Sequence, residues 1–133
     1  MSGKFIESQD VARQEFPGMG ILGMLSKPTE NEKVLFGELT FAPGDGFNFH
    51  HHPNQDEALY LIDGSLEAWI DQEMRTLNPG DTMWLQKGTV HACFNSSGKP
   101  TKMFVLLTPV VTSEELGFEL VDVSGEAPWK DLR

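Results

Sequence analysis

The sequence predicts an all-β fold, a sandwich or barrel of short strands forming a single domain. Three observations carry this expectation. Short runs rich in β-branched and aromatic residues recur from Val34 onward. Turn sequences separate them at near-regular intervals: Pro43-Gly44-Asp45-Gly46, Asp63-Gly64, Asn78-Pro79-Gly80, Lys87-Gly88 and Ser96-Ser97-Gly98. No helical stripe of useful length appears before residue 110. With 133 residues the chain has the size of one domain and can bury a substantial core.

Residues 1–33 read as an N-terminal arm, in which Gly18, Gly20 and Gly23 alternate with Met19, Ile21, Leu22, Met24 and Leu25. That composition suits an extended, glycine-punctuated strand. Residues 34–110 read as the barrel core, with strands expected at 34–42, 47–52, 57–62, 66–71, 73–77, 81–86, 90–95 and 102–108. The tail, 111–133, begins with Thr112-Ser113-Glu114-Glu115, which resembles a helix capping box. A short helical turn is expected at 113–116, interrupted by Gly117. Phe118, Leu120, Val121 and Val123 are the alternative, a last strand.

Composition excludes several classes of function. Apolar residues make up 39% of the chain and charged residues 23%, the balance of a soluble globular protein. A formal net charge of -10 argues against nucleic acid and anionic membranes, whose phosphates attract basic surfaces. No stretch approaches the roughly 20 apolar residues of a membrane span. The first ten residues lack the apolar run of a signal peptide. The single cysteine, Cys93, excludes an intrachain disulfide and fits a reducing compartment. Together these features predict a cytoplasmic protein.

Four residues carry the chemistry: His50, His52, Glu57 and His91. His50 and His52 are two apart, so on a strand both point to one side, and the intervening His51 points away. Glu57 opens the apolar run Ala58-Leu59-Tyr60-Leu61-Ile62. His91 lies far along the chain on another apolar segment. Two alternating histidines, a carboxylate on the hairpin partner and an imidazole from a distant strand can converge inside a barrel. Such a set suits iron, nickel, manganese, zinc or copper and leaves coordination positions open for a small molecule. Three adjacent histidines alone could equally form an adventitious surface patch; Glu57 and His91 weigh against that.

The residues Gly44, His50, His52, Glu57 and Gly64 fill every fixed position of a motif, and Gly80, Gly88, His91 and Asn95 fill four of the five of a second. In both spacing and order they resemble the two signature motifs of the cupin family. Gln86 stands where the second motif usually has proline, a departure that touches loop rigidity and leaves the ligand positions intact. Fifteen residues, 65–79, separate the motifs, as in compact bacterial members. The resemblance implies a jelly-roll β-barrel, or double-stranded β-helix, with little helix, and one divalent transition metal held by His50, His52, Glu57 and His91. It also implies a homodimer, paired through a sheet face or an exchanged terminal strand, for which the glycine-rich segment 18–25 is the candidate arm.

For the pocket, strict alternation places Asn48 on the side of His50, with Phe47 and Phe49 facing away. Cys93 shares the parity of His91 and is a second candidate lining residue, although a small buried core residue is the simpler reading. Tyr60 is expected on the opposite face from Glu57, and Asn95 in a structural role. Only Lys87 and Lys102 lie near the motifs, too few cations for a phosphorylated substrate. The expected function is a metal-dependent enzyme of dioxygenase type acting on a small neutral or singly anionic molecule. Glu57 would serve as ligand and as acceptor of a substrate proton. The alternatives are a non-redox isomerase or lyase of a sugar or keto acid, and a binding or sensor protein without turnover.

Overall fold

A computed structural model describes residues 2–133. Its strands are β1 (Arg13–Phe16), β2 (Gly20–Gly23), β3 (Leu35–Phe41), β4 (Gly46–His51), β5 (Asp56–Asp63), β6 (Leu66–Ile70), β7 (Glu73–Leu77), β8 (Thr82–Leu85), β9 (His91–Phe94), β10 (Thr101–Thr108) and β11 (Val121–Asp122). They form two sheets. One has the order β1-β2-β3-β10-β5-β8 and the other β11-β4-β9-β6-β7. Every pairing given by the registers is antiparallel. The fold is the all-β double-stranded β-helix.

The core lies between the sheets because the strands alternate. In β3, Leu35, Gly37, Leu39 and Phe41 are buried while the residues between them are partly exposed. In β10, Thr101, Met103, Val105 and Leu107 do the same. Phe41, Leu61 and Met103 are fully buried at its centre. The turns follow local chemistry: Gly64, at φ +86°, occupies the left-handed region that glycine tolerates, and its N–H donates to the Asp63 carboxylate at 3.0 Å.

The N-terminal arm folds back on its own chain. β1 and β2 form a hairpin, and β2 pairs with β3 through Ile21–Thr40, Leu22–Leu39 and Gly23–Glu38. Gly20 permits the close approach: it has φ +93°, and a Cβ there would lie 2.5 Å from the Thr40 carbonyl oxygen. In this fold the middle of the segment 18–25, strand β2, is therefore part of its own chain's six-stranded sheet.

The tail differs from the expected helical turn. Glu114 N–H donates to Val111 O and Gly117 N–H to Glu114 O, which are successive tight turns, and Gly117 at φ +82° diverts the chain. Beyond it, β11 pairs with β4 through Val121–His51 and Asp122–His50. The remaining residues then cover the outer face of the five-stranded sheet. Phe49, Ala92, Phe94 and Val123 form a second apolar cluster there, closed by Trp69, Trp129 and Leu132. Trp129 Nε1–H donates to Asp71 at 3.1 Å, and the Arg133 guanidinium lies 3.6 Å over the Phe94 ring. Covered on both sides, all four residues of β9 are buried.

β4 carries a bulge. Phe47 pairs with Cys93 and His50 with His91, so three steps along β4 match two along β9. The extra residue reverses the expected sides of Phe47 and Asn48 and leaves Phe49 on the side expected of it. Phe47 faces the space between the sheets with His50, Phe49 is buried on the outer side, and Asn48 is exposed.

Candidate metal centre

The site forms where the two sheets face each other. β4 brings His50, with His52 just beyond its end; β9 brings His91; β5, from the opposite sheet, brings Glu57. All four are buried. His50 and His91 are register partners across β4 and β9, and their ring centroids are 4.2 Å apart. The His52 ring is 5.1 Å from that of His50 and 5.4 Å from that of His91. One ring nitrogen from each of the three histidines lies within 4.8 Å of the others. Glu57 places Oε1 2.9 Å from His91 Nε2 and Oε2 3.7 Å from His52 Nε2.

The remaining ring nitrogens fix the tautomers. Nδ1 of His50 is 2.6 Å from Asn48 O, that of His91 is 2.9 Å from Thr89 O, and that of His52 is 2.5 Å from Glu119 O. A carbonyl only accepts, so each Nδ1 donates and the neutral ring keeps its lone pair on Nε2. His91 Nε2 is buried without an aligned hydrogen bond, despite its 2.9 Å approach to Glu57. An unpartnered buried acceptor is costly, and a cation between the three rings and the carboxylate would complete it. Three neutral imidazoles and one carboxylate fit a divalent transition metal.

Electrostatics agree with that donor set at His50, His52 and Glu57 and run against it at His91. Burial, and then the neighbouring His91, push His50 down to about 3, so it is neutral near pH 7. Burial also lowers His52, against the pull of Glu57. Burial opposes ionisation of Glu57, yet its contact with His91 and the surrounding imidazoles outweighs this and holds the carboxyl below its usual range. His91 moves the other way: burial is outweighed by the adjacent Glu57 carboxylate, which raises it.

The surrounding cavity is apolar. Leu22, Leu35, Leu39 and Phe47 line one part, Leu59, Met83, Val105 and Leu107 another, and the tail adds Phe118 and Leu120. Cys93 completes the lining. Its thiol is pushed up to about 12 by burial and then by the Glu57 charge, so it stays protonated. The three histidines and Glu57 are the only charged or hydrogen-bonding side chains among the described lining residues, the thiol aside. The cavity volume is about 60 Å³, room for several water molecules.

The other expected positions fall as follows. Asn48 does not line the cavity; the bulge turns it to solvent, and only its backbone carbonyl serves the site. His51 faces away, beside Val121 of β11. Tyr60 is 47% exposed on the outer face of the six-stranded sheet. Asn95 is buried and donates to the carbonyls of Phe41 and Lys99. Lys87 and Lys102 are exposed. Gln86 accepts the N–H of Thr89 in the turn before β9, so the turn forms without proline. Sequence reasoning missed Gln55, Phe118, Glu119 and Leu120. Gln55 had a legible signal: it continues the buried alternation of Glu57, Leu59 and Leu61.

Comparison with known proteins bears on the whole arrangement. The family model described as "Cupin domain" matches residues 37–107, more than half of the chain. The tetracenomycin polyketide synthase protein TcmJ of Streptomyces glaucescens is 31% identical over 83 residues, 62% of this chain and 56% of that protein. The quercetin 2,3-dioxygenase of Bacillus subtilis (strain 168) is 33% identical over 66 residues, 50% of this chain and 19% of the enzyme. The chain thus spans little more than half of the first of these relatives and a fifth of the second. The structure of the polyketide cyclase RemF from Streptomyces resistomycificus superposes with a TM-score of 0.75 at 14% identity, covering 98% of both chains. This likeness reports the shared barrel alone. Since the matched segment contains His50, His52, Glu57 and His91 within one uninterrupted barrel, the chain belongs to the cupin family.

Proposed function

We propose that this protein is a metal-dependent enzyme that oxidises a small, largely apolar organic molecule in a dioxygenase-type reaction. One observation carries the reading: three buried imidazoles with free Nε2 lone pairs and a buried carboxylate form the polar centre of an apolar cavity. His50, His52 and His91 are the proposed nitrogen ligands and Glu57 the proposed oxygen ligand. When bound, a divalent transition metal would supply a charged centre for a substrate's oxygen donors and a redox partner for dioxygen.

The chain's own residues contribute three things. The Nδ1 hydrogen bonds hold the imidazoles in one tautomer. Glu57 is the one carboxylate among the described residues that line the cavity, and one of its oxygens would accept the proton of a substrate hydroxyl. The leucine, methionine, valine and phenylalanine walls exclude water and favour a flat apolar body over a sugar or a phosphate. Barrel residues 34–110 carry the chemistry, while Leu22 of the arm and Phe118 and Leu120 of the tail help to enclose it. The buried lone cysteine supports a cytoplasmic setting, and the outward Trp84, Tyr60 and Ile62 support a homodimer.

A second reading is non-redox cyclisation, isomerisation or lysis. The relatives named as a polyketide synthase protein and, among structures, a polyketide cyclase favour it. Oxygen uptake by the iron, nickel, manganese and copper forms with catechols and flavonols separates the two. The dioxygenase reading expects metal-dependent uptake with at least one of these pairs. Turnover that is equal under nitrogen and in the zinc form would replace it with the second reading.

A further inference from the structure

Resting on the metal-centre reading above, we infer that Gln55 is a positioning residue for His52, acting through the backbone of tail residues 117–119.

The three histidines differ in how they are held. His50 and His91 bond to carbonyls two residues back on their own segments, Asn48 and Thr89. Those acceptors come with the strands. His52 bonds instead to the carbonyl of Glu119, 67 positions away, on a stretch of the tail that belongs to no strand. The orientation of His52 therefore depends on where the tail is docked.

Gln55 is what docks it. Its side chain is 1% exposed and uses both ends on this tail. Nε2 donates to Pro109 O at 2.8 Å and to Gly117 O at 3.0 Å, and Oε1 accepts from Glu119 N–H at 3.2 Å. One buried amide thus grips the residue whose carbonyl holds His52. Packing helps: Gly117 lies so close to Leu35 that a Cβ would approach Leu35 Cδ1 to 2.8 Å. The same stretch carries Phe118, whose ring stands edge-on to His52 with centroids 6.2 Å apart. The neighbouring Asn54 reaches the Glu119 carboxylate from the surface at 2.8 Å. A residue in the loop between the ligands His52 and Glu57 thereby ties the far end of the chain to one ligand and to the cavity wall.

Coupling of this kind is reciprocal. If the docked tail orients His52 for the metal, then metal must hold the tail in place by the same factor. A merely structural glutamine would show no such link.

The test is a double-mutant cycle on cobalt(II) affinity with the full chain: wild type, Gln55→Leu, His52→Ala and the double variant. Loss of a hydrogen-bond partner behind a metal-bound histidine typically weakens binding by about 10–100-fold. Gln55→Leu is expected to show that loss in the wild-type background and less than about a threefold change once His52 is gone. Equal losses in both backgrounds, or none in either, overturn the inference while leaving the metal centre standing. Wild-type protein that takes up no cobalt overturns both. Should Gln55→Leu fail to fold, hydrogen exchange on wild type decides: cobalt is expected to slow exchange of the Glu119 amide about tenfold or more, and an unchanged rate overturns the inference.

Discussion

At the scale of single residues, His91 and His50 show how burial and charge divide one cluster into different roles. Burial leaves His50 neutral far below neutrality, whereas the Glu57 carboxylate raises His91 against the same burial. A proton on His91 is therefore the natural competitor of a metal. Replacing His91 with alanine should weaken metal binding by more than roughly 100-fold while the far-UV circular dichroism stays that of the native barrel. The pH dependence has a definite sign. In metal-free protein the unfolded chain protonates His50 near 6.5, while the folded state refuses that proton down to about 3. Stability should thus fall as pH drops through this window, by an amount on the order of 5 kcal/mol. Glu57, lowered in the fold, works in the same direction: its contribution is present above its unfolded value and is lost as pH falls through the folded one. His91 opposes them, since its raised value favours the fold below 6.5 and that contribution disappears as pH rises through it. Urea denaturation of chelator-treated protein between pH 7 and pH 4 measures the sum, and a flat profile would contradict the assignment of His50 as a buried neutral imidazole.

At the scale of elements, turns and alternation made most of the barrel legible. β3 through β10 appear within one or two residues of the strands read from the sequence, because Gly, Pro, Asn and Asp mark each reversal and apolar residues recur at every second position. The proposed ligands were legible from their spacing, His50, Glu57 and His91 lying on strands and His52 one residue past the end of β4. What failed was register inside β4. Alternation assumes an unbroken ladder, and the bulge between Phe47 and His50 adds a residue that only the partner strand reveals. The burial of Gln55 could be read from alternation, but the bonds that Glu119 makes to Gln55 and His52 were hidden, because they span more than 60 positions and a single chain carries no mark of such pairing. The bulge makes a contrast that mutagenesis can read. Phe49→Ala should cost about 3–5 kcal/mol, since its ring fills the cluster under the tail. Asn48→Ala should cost less than about 1 kcal/mol and leave metal affinity unchanged, because an alanine keeps the backbone carbonyl that His50 uses. A large loss of affinity in Asn48→Ala would restore the orientation read from alternation.

At the scale of the molecule, two sheets, an edge hairpin and an overlying tail enclose a small apolar space in which the charged groups among the described residues gather at one point. No helix among the described residues is long and apolar enough to cross a membrane. The outer face of the six-stranded sheet presents a row of Phe36, Leu106, Ala58 and Trp84, aligned across four strands. The proposed homodimer would cover this row, so sedimentation equilibrium should give twice the chain mass and Trp84→Arg should shift it to the monomer. A wild-type monomer at all concentrations would remove the dimer without touching the site. The convergence of His50, His52, Glu57 and His91 on one cation is the claim on which the rest depends. Anomalous diffraction at the absorption edge of the metal retained after purification without chelator tests it directly. The account predicts a single peak within about 2.0–2.3 Å of an Nε2 from each of the three histidines and an oxygen of Glu57. A peak at His51 or elsewhere on the surface, with the interior position bare, would contradict it.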